Sequence, residues 1–135
     1  IIANVDKQFL INDNPNLIDL KLLIQLADGN QEFIVKMLEI YYKQTPENLD
    51  ALDQHLKDKN YKELAAIAHK MRSSVPYVGL HIAENLLEKL EYAAKQNIQI
   101  DEFPERVKTI RKLCEDSLIQ VKEQLYLLSE KSHKS

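Results

Sequence analysis

The sequence predicts an all-α fold: an antiparallel up-down four-helix bundle with an extra short N-terminal helix. Three observations carry this reading. Apolar residues recur at helical spacing along four long stretches. The 135 residues include only two Gly and four Pro, so little turn chemistry interrupts long elements. No stretch of useful length alternates apolar and polar residues as a half-buried strand would. Short links between the helical stretches make antiparallel neighbours.

Taken in order, residues 1–16 form a strap, read either as extended chain or as a short helix. Phe9, Leu10 and Ile11 are its apolar cluster, and the Asn12–Asn16 stretch around Pro15 is a turn. The bundle is expected over residues 17–129. Leu17, Leu20, Leu23, Ile24 and Ala27 have the spacing of the short first helix, which should pack across one end. Asp28-Gly29-Asn30 ends it and caps the next. The second helix is expected from Gln31 to Lys57, with Phe33, Ile34, Met37, Leu38, Tyr41, Leu49, Leu52 and Leu56 as its apolar positions. Pro46 lies inside it. The apolar stripe stays in phase across Pro46, which favours a kinked single helix over a restart capped by Thr45.

The third helix carries Leu64, Ile67, Ala68, Met71, Val75 and Val78 on one stripe. Pro76 should bend or loosen it one to two turns after His69, and Gly79 suits a left-handed cap. The fourth runs from His81 to Lys95, with Ala83, Leu86, Leu87, Leu90, Ala93 and Ala94 inward. The fifth starts near Phe103-Pro104 and ends near Ser129, on a stripe from Val107 through Ile110, Cys114 and Val121 to Leu128. Residues 130–135 are polar and read as a flexible tail.

His69 stands apart. It lies roughly 150° from the centre of its helix's apolar stripe, so it is expected to face solvent. Lys62, Ala65, Ala66 and Ser73 are its expected outer-face neighbours, and three of the four are small. Lys70 and Arg72 flank it. Imidazole is a good nucleophile near neutral pH, and small neighbours leave room for a second protein to reach the ring.

Other chemistries find little support. The lone Cys114 makes no internal disulfide, which fits a reducing cytosol. A net charge of −3 counts weakly against a nucleic-acid partner. There is no apolar run near 18 residues and no signal peptide. No metal-ligand spacing or phosphate-cradling Gly loop occurs; Glu130-Lys131-Ser132-His133 is an isolated pair in the tail. No cofactor is expected. The chain starts Ile1-Ile2-Ala3 without Met, which reads as a piece of a longer protein.

The stretch around Ala68-His69 resembles the signature of histidine phosphotransfer (HPt) domains. In that signature Ala-His is followed by an apolar residue, a Lys, a Gly, two small residues and later a Gly. Met71 takes the apolar place, Ser74 a small one, and Gly79 stands for the closing Gly. Arg72 stands where Lys is usual and keeps the charge; Ser73 stands where Gly is usual and keeps most of the small size. The resemblance extends from about Leu17 to Lys95. It implies a phosphocarrier in a multistep His-Asp phosphorelay, a two-component pathway. His69 would accept a phosphoryl group on Nε2 from a receiver-domain aspartate and pass it to another receiver. The domain would have no ATP site, and magnesium would belong to the receiver.

Arg72, at i+3 from His69, is the expected phosphate contact. A position on the next helix often orients the ring in the family, and by spacing it is Glu91. Docking of the partner is assigned to Lys62, Ala65, Ala66, Lys70, Ser73, Leu80 and Lys95. The expected setting is the cytoplasmic part of a bacterial hybrid sensor histidine kinase, with a monomeric carrier domain and no membrane contact of its own. The alternative is a helical docking module that binds a receiver or another signalling partner without carrying phosphate.

Overall fold

The computed structural model describes residues 17–134, with side chains described for residues 17–130. The strap expected at residues 1–16 lies outside them. Among the described residues five α-helices follow one another: α1 (Lys21–Ala27), α2 (Gln31–Lys57), α3 (Tyr61–Arg72), α4 (His81–Gln96) and α5 (Phe103–Lys134). Two 3₁₀ segments, Val75–Val78 and Ile100–Glu102, lie before α4 and α5, and no strand occurs among the described residues. α2 packs on α3 and α5, α3 on α4, and α4 on α5, so the four long helices close a ring around one core. α1 packs on α2 and on the first 3₁₀ segment.

Local chemistry sets the helix starts. Asn30 caps α2 by accepting the Phe33 N–H, and Asn60 caps α3 by accepting the Glu63 N–H. Left-handed residues make the turns: Asp28 and Gly29 before α2, Lys59 before α3, Asn97 and Gln99 before α5. α2 runs as one element through Pro46, as its in-phase stripe predicts.

The core is built from Leu23, Leu38, Leu49, Leu52, Leu64, Met71, Leu87, Leu90, Phe103 and Ile110, all fully buried. Tyr41 and Ser117 form a buried polar pair within it. The Ser117 hydroxyl donates to the Cys114 carbonyl at 2.6 Å, which leaves its oxygen to accept the Tyr41 O–H at 2.7 Å. Burial pushes the Tyr41 hydroxyl above the ordinary phenol range and the Cys114 thiol up to about 12. Tyr61 packs edge-to-face on Phe103, with ring centroids 5.4 Å apart.

Four boundaries and faces differ from the sequence reading. α1 begins only at Lys21, and residues 17–20 run as an irregular segment into it. Ile24, counted on its inward face, is 56% exposed. α3 ends at Arg72, and the chain continues as a 3₁₀ turn through Pro76. The proline ring clashes with the carbonyl four residues back, which is Arg72, and it disfavours helical geometry at Val75. α5 keeps its helical backbone to Lys134, past Ser129, with no Gly or Pro to stop it.

The segment after α3 is held by residues 17–20. Asp19 donates its N–H to the Val78 carbonyl at 2.8 Å. Ile18 donates its N–H to Gln120 Oε1 at 2.9 Å, which ties the same segment to α5. Gly79 caps the 3₁₀ turn at φ 68°. A Cβ there would overlap the Asp19 backbone oxygen and lie 2.7 Å from its Cβ, so only glycine fits.

Candidate functional site

His69 is in the last turn of α3, with its side chain 70% exposed. Ala68 and Met71 on the same turn are buried and lock the helix face. The imidazole therefore projects from a fixed backbone into solvent. Its Nδ1 lies 3.0 Å from Oε2 of Glu91 on α4. Glu91 is the centre of a small charged cluster. Its Oε1 accepts from Arg72 Nη1 at 2.7 Å, and its Oε2 also accepts from Lys95 Nζ at 2.8 Å.

The Glu91 side chain is only 6% exposed. Burial is the largest single influence on its carboxyl and pushes the pKa up. The hydrogen bonds from Lys95, Arg72 and His69 outweigh it together and hold the carboxyl down at about 2. The carboxylate is thus ionised at any ordinary pH. Contact with it raises the pKa of the Arg72 guanidinium further.

An ionised carboxylate has only acceptor sites. The Nδ1 of His69 must therefore be the donor in their hydrogen bond. In the neutral ring that leaves Nε2 without a proton, carrying the free lone pair. The result is an exposed nitrogen nucleophile with its tautomer set from behind.

Of the residues named from sequence, the structure brings His69, Arg72, Glu91 and Lys95 into one cluster. Arg72 reaches Glu91 rather than open solvent beside the ring. Lys62, Ala66, Lys70 and Ser73 are exposed, and the Ser73 hydroxyl folds back to donate to the Lys70 carbonyl at 2.7 Å. Two docking residues need correction. Ala65 is 2% exposed and Leu80 is 1% exposed, and both belong to the core. α3 packs on both α2 and α4, so its buried face is wider than one stripe and takes in Ala65. Leu80 turns inward after the left-handed Gly79.

Lys95, a docking residue by sequence, bonds to Glu91 in the structure. The signal was present: Glu followed by Lys at i+4 on one helix is a favourable ion pair. Glu91 itself is buried at a position that would read from sequence as a surface glutamate.

Beside this cluster, α3 and α4 leave an open trough of about 530 Å³, floored by Ala65, Ala66 and Ala94 and rimmed by Lys59, Lys62 and Lys95. Among the described residues no three His, Cys, Asp or Glu side chains are grouped to hold a metal ion. No helix among them is long and apolar enough to cross a membrane.

Comparison with known proteins gives two results. The Hpt domain family matches residues 36–125, a span that holds α3, α4 and the whole charged cluster. The phosphorelay intermediate protein YPD1 of Candida albicans is 27% identical over 89 residues, covering 64% of this chain and 47% of that protein. The chain thus spans about half the length of the curated relative it matches. No solved structure matches.

Proposed function

Because the chain belongs to the Hpt domain family, we propose that it carries a phosphoryl group on His69 Nε2 between receiver domains of a His-Asp phosphorelay. A phosphorelay carrier role is the general function of the family and of the relative's printed name. The residue assignment, the donor and the acceptor are the proposal. The observation that carries it is the cluster itself. The exposed ring has one nitrogen bonded to a buried carboxylate and the other turned outward.

In the forward step the Nε2 lone pair attacks the phosphorus of a receiver's aspartyl phosphate, in line with the departing carboxylate oxygen. The P–O bond breaks and its electron pair stays with the aspartate. The reverse step delivers the phosphoryl group to a second receiver. Magnesium is expected in the receiver's acidic pocket rather than on this chain. Arg72, bonded to Glu91 in the resting site, would share the phosphoryl charge once it sits on the ring, by charge-assisted hydrogen bonds.

The partner approaches over Lys62, Ala66, Lys70 and Ser73. Reaction needs Nε2 within about 3–3.5 Å of phosphorus, and short neighbours let the imidazole reach into a recessed pocket. The proposed setting is a monomeric carrier domain in the cytoplasm, attached to kinase and receiver domains in a hybrid sensor kinase.

The test is incubation with phosphorylated receivers. The expected outcome is an acid-labile, base-stable label on the parent protein and none on the His69→Gln variant. Label retained in that variant overturns the assignment to His69. A parent that binds receivers without taking label supports the docking-module alternative.

A further inference from the structure

We propose that the chain's own segment around Phe9, Leu10 and Ile11 docks on the flank of α1 formed by Leu22 and Leu26. The reactive cluster makes no use of this face, so the docking stands apart from the carrier reading.

Of the seven residues of α1 only Lys21 and Gln25 are polar. Leu23 and Ala27 are buried and seat the helix on the bundle. Three large aliphatic side chains are left outside: Leu22 is 42% exposed, Ile24 56% and Leu26 53%. A surface helix ordinarily turns charged and polar residues to solvent. At 100° per residue, Leu22 and Leu26 stand together on one flank and Ile24 on the other. The Leu22/Leu26 flank is an apolar strip left open to solvent by the rest of the described residues.

Composition, reach and tethering all name the same occupant. Residues 1–16 carry three consecutive large apolar side chains, Phe9, Leu10 and Ile11. These lie six to eight residues before Leu17, a span of about 20–28 Å when extended. α1 starts four residues after Leu17 and is about 10 Å long, so the apolar triplet can reach any point of it. The point of entry is fixed beside the helix. Ile18 donates its N–H to Gln120 Oε1 and Asp19 donates its own to the Val78 carbonyl, and the 3₁₀ turn that holds Asp19 packs on α1. The Asn, Asp and Pro residues at 12–16 suit the reversal that brings the segment back.

A tether this short holds the triplet near α1 at an effective concentration in the millimolar range. A second copy or a free partner with an equal apolar surface competes poorly against that. Because α1 lies against the 3₁₀ turn that follows the helix of His69, a protein reaching the imidazole across α1 has first to displace the segment.

The test is paramagnetic NMR on the full chain. A nitroxide is attached to the Gln8→Cys variant; the native thiol, Cys114, is buried and stays unlabelled. The methyl groups of Leu22 and Leu26 should lose most of their signal, while those of Leu52, about 30 Å along α2 from its start, keep theirs. The loss should persist on dilution and vanish when Phe9→Ser and Ile11→Ser are added. Leu22→Ser with Leu26→Ser should in turn release the segment, seen as a sharpened electron spin resonance spectrum of the same label.

Unaffected α1 methyl groups overturn the proposal. So does a loss that survives Phe9→Ser with Ile11→Ser in a folded protein, since that is nearness of a tether without docking. Loss between label and isotope placed on different copies assigns the strip to a second copy. Changes at Leu22 and Leu26 that appear only when a receiver domain is added assign it to that partner. Either result overturns the proposal. The label arm needs no substitution in the bundle, so it decides the matter even if the α1 variant does not fold.

Discussion

Two charged clusters stitch this bundle, and they are inverse images. On one side, the anion Glu91 gathers His69, Arg72 and Lys95. On the other, the cation Arg111 of α5 gathers Asp50 and Asp53 of α2 and Glu115 of its own helix, through contacts of 2.5–3.0 Å. Each joins two helices through one hub and three partners. The difference is depth and periphery. Arg111 is 28% exposed, and its partners are solvated carboxylates with no reactive atom to offer. Glu91 is almost wholly buried, and one of its partners is an imidazole with a second nitrogen free. A shallow hub of this kind is a staple, worth little in water. A buried hub can fix the state of what it holds.

The comparison sharpens most at the periphery. His69→Gln should abolish phosphoryl transfer while circular dichroism and melting remain those of the parent, because the side chain is mostly in water. Next in size is access. Ser73→Trp places a large group on the exposed turn beside the ring and should slow transfer about a hundredfold with the fold intact. Ala65→Trp is different in kind: the position is buried, so overpacking should cost about 1–3 kcal/mol and appear first in the melt. Parent-rate transfer in a folded Ser73→Trp variant would place the partner elsewhere.

The third contrast is in acid. The Glu91 carboxyl is lowered from 4.5 to about 2 in the fold. Its stabilisation is therefore complete above about pH 4.5 and is lost as pH falls through about 2, an effect of roughly 3 kcal/mol. Urea unfolding between those pH values should be steeper in pH for the parent than for Glu91→Gln. Equal slopes would mean the hub is as solvated as Arg111.

The smallest effects pair the two arginines. Arg72→Ala should slow transfer about tenfold or shorten the life of phosphohistidine to match, the scale of one charge-assisted contact. Arg111→Ala should leave transfer unchanged and cost no more than about 1 kcal/mol of stability. Transfer that responds to Arg111 as strongly as to Arg72 would erase the distinction between the clusters.

The long helices were legible because one face of each must be apolar, and that period is written in Leu38, Tyr41, Leu49 and Leu52 as plainly as in Val107, Ile110 and Cys114. The position of His69 opposite its stripe was legible for the same reason. Ala65 was not, since a helix touching two neighbours buries more than one stripe, and an alanine looks alike inside and outside. The end of α3 was signalled by Pro76 but came at Arg72, where the ring's steric reach falls. The pairing of Glu91 with Arg72, 19 residues earlier in the chain, is announced by no local pattern. Its Lys95 partner was within reach of the i+4 rule.

The grip of residues 17–20 on the 3₁₀ turn has a consequence for the order in which the molecule can be assembled. His69 and Glu91 are 22 residues apart, and α3 and α4 are consecutive. A chain emerging from the ribosome can close that corner from a local helical hairpin as soon as α4 is out. Ile18 must wait for Gln120, 102 residues further on, before its N–H finds the side chain that receives it. The reactive corner belongs to the early, short-range part of folding, and the clasp beneath it to the last. What the final helix adds is closure: its Gln120 accepts the Ile18 N–H and fastens residues 17–20 beside the 3₁₀ turn that follows α3.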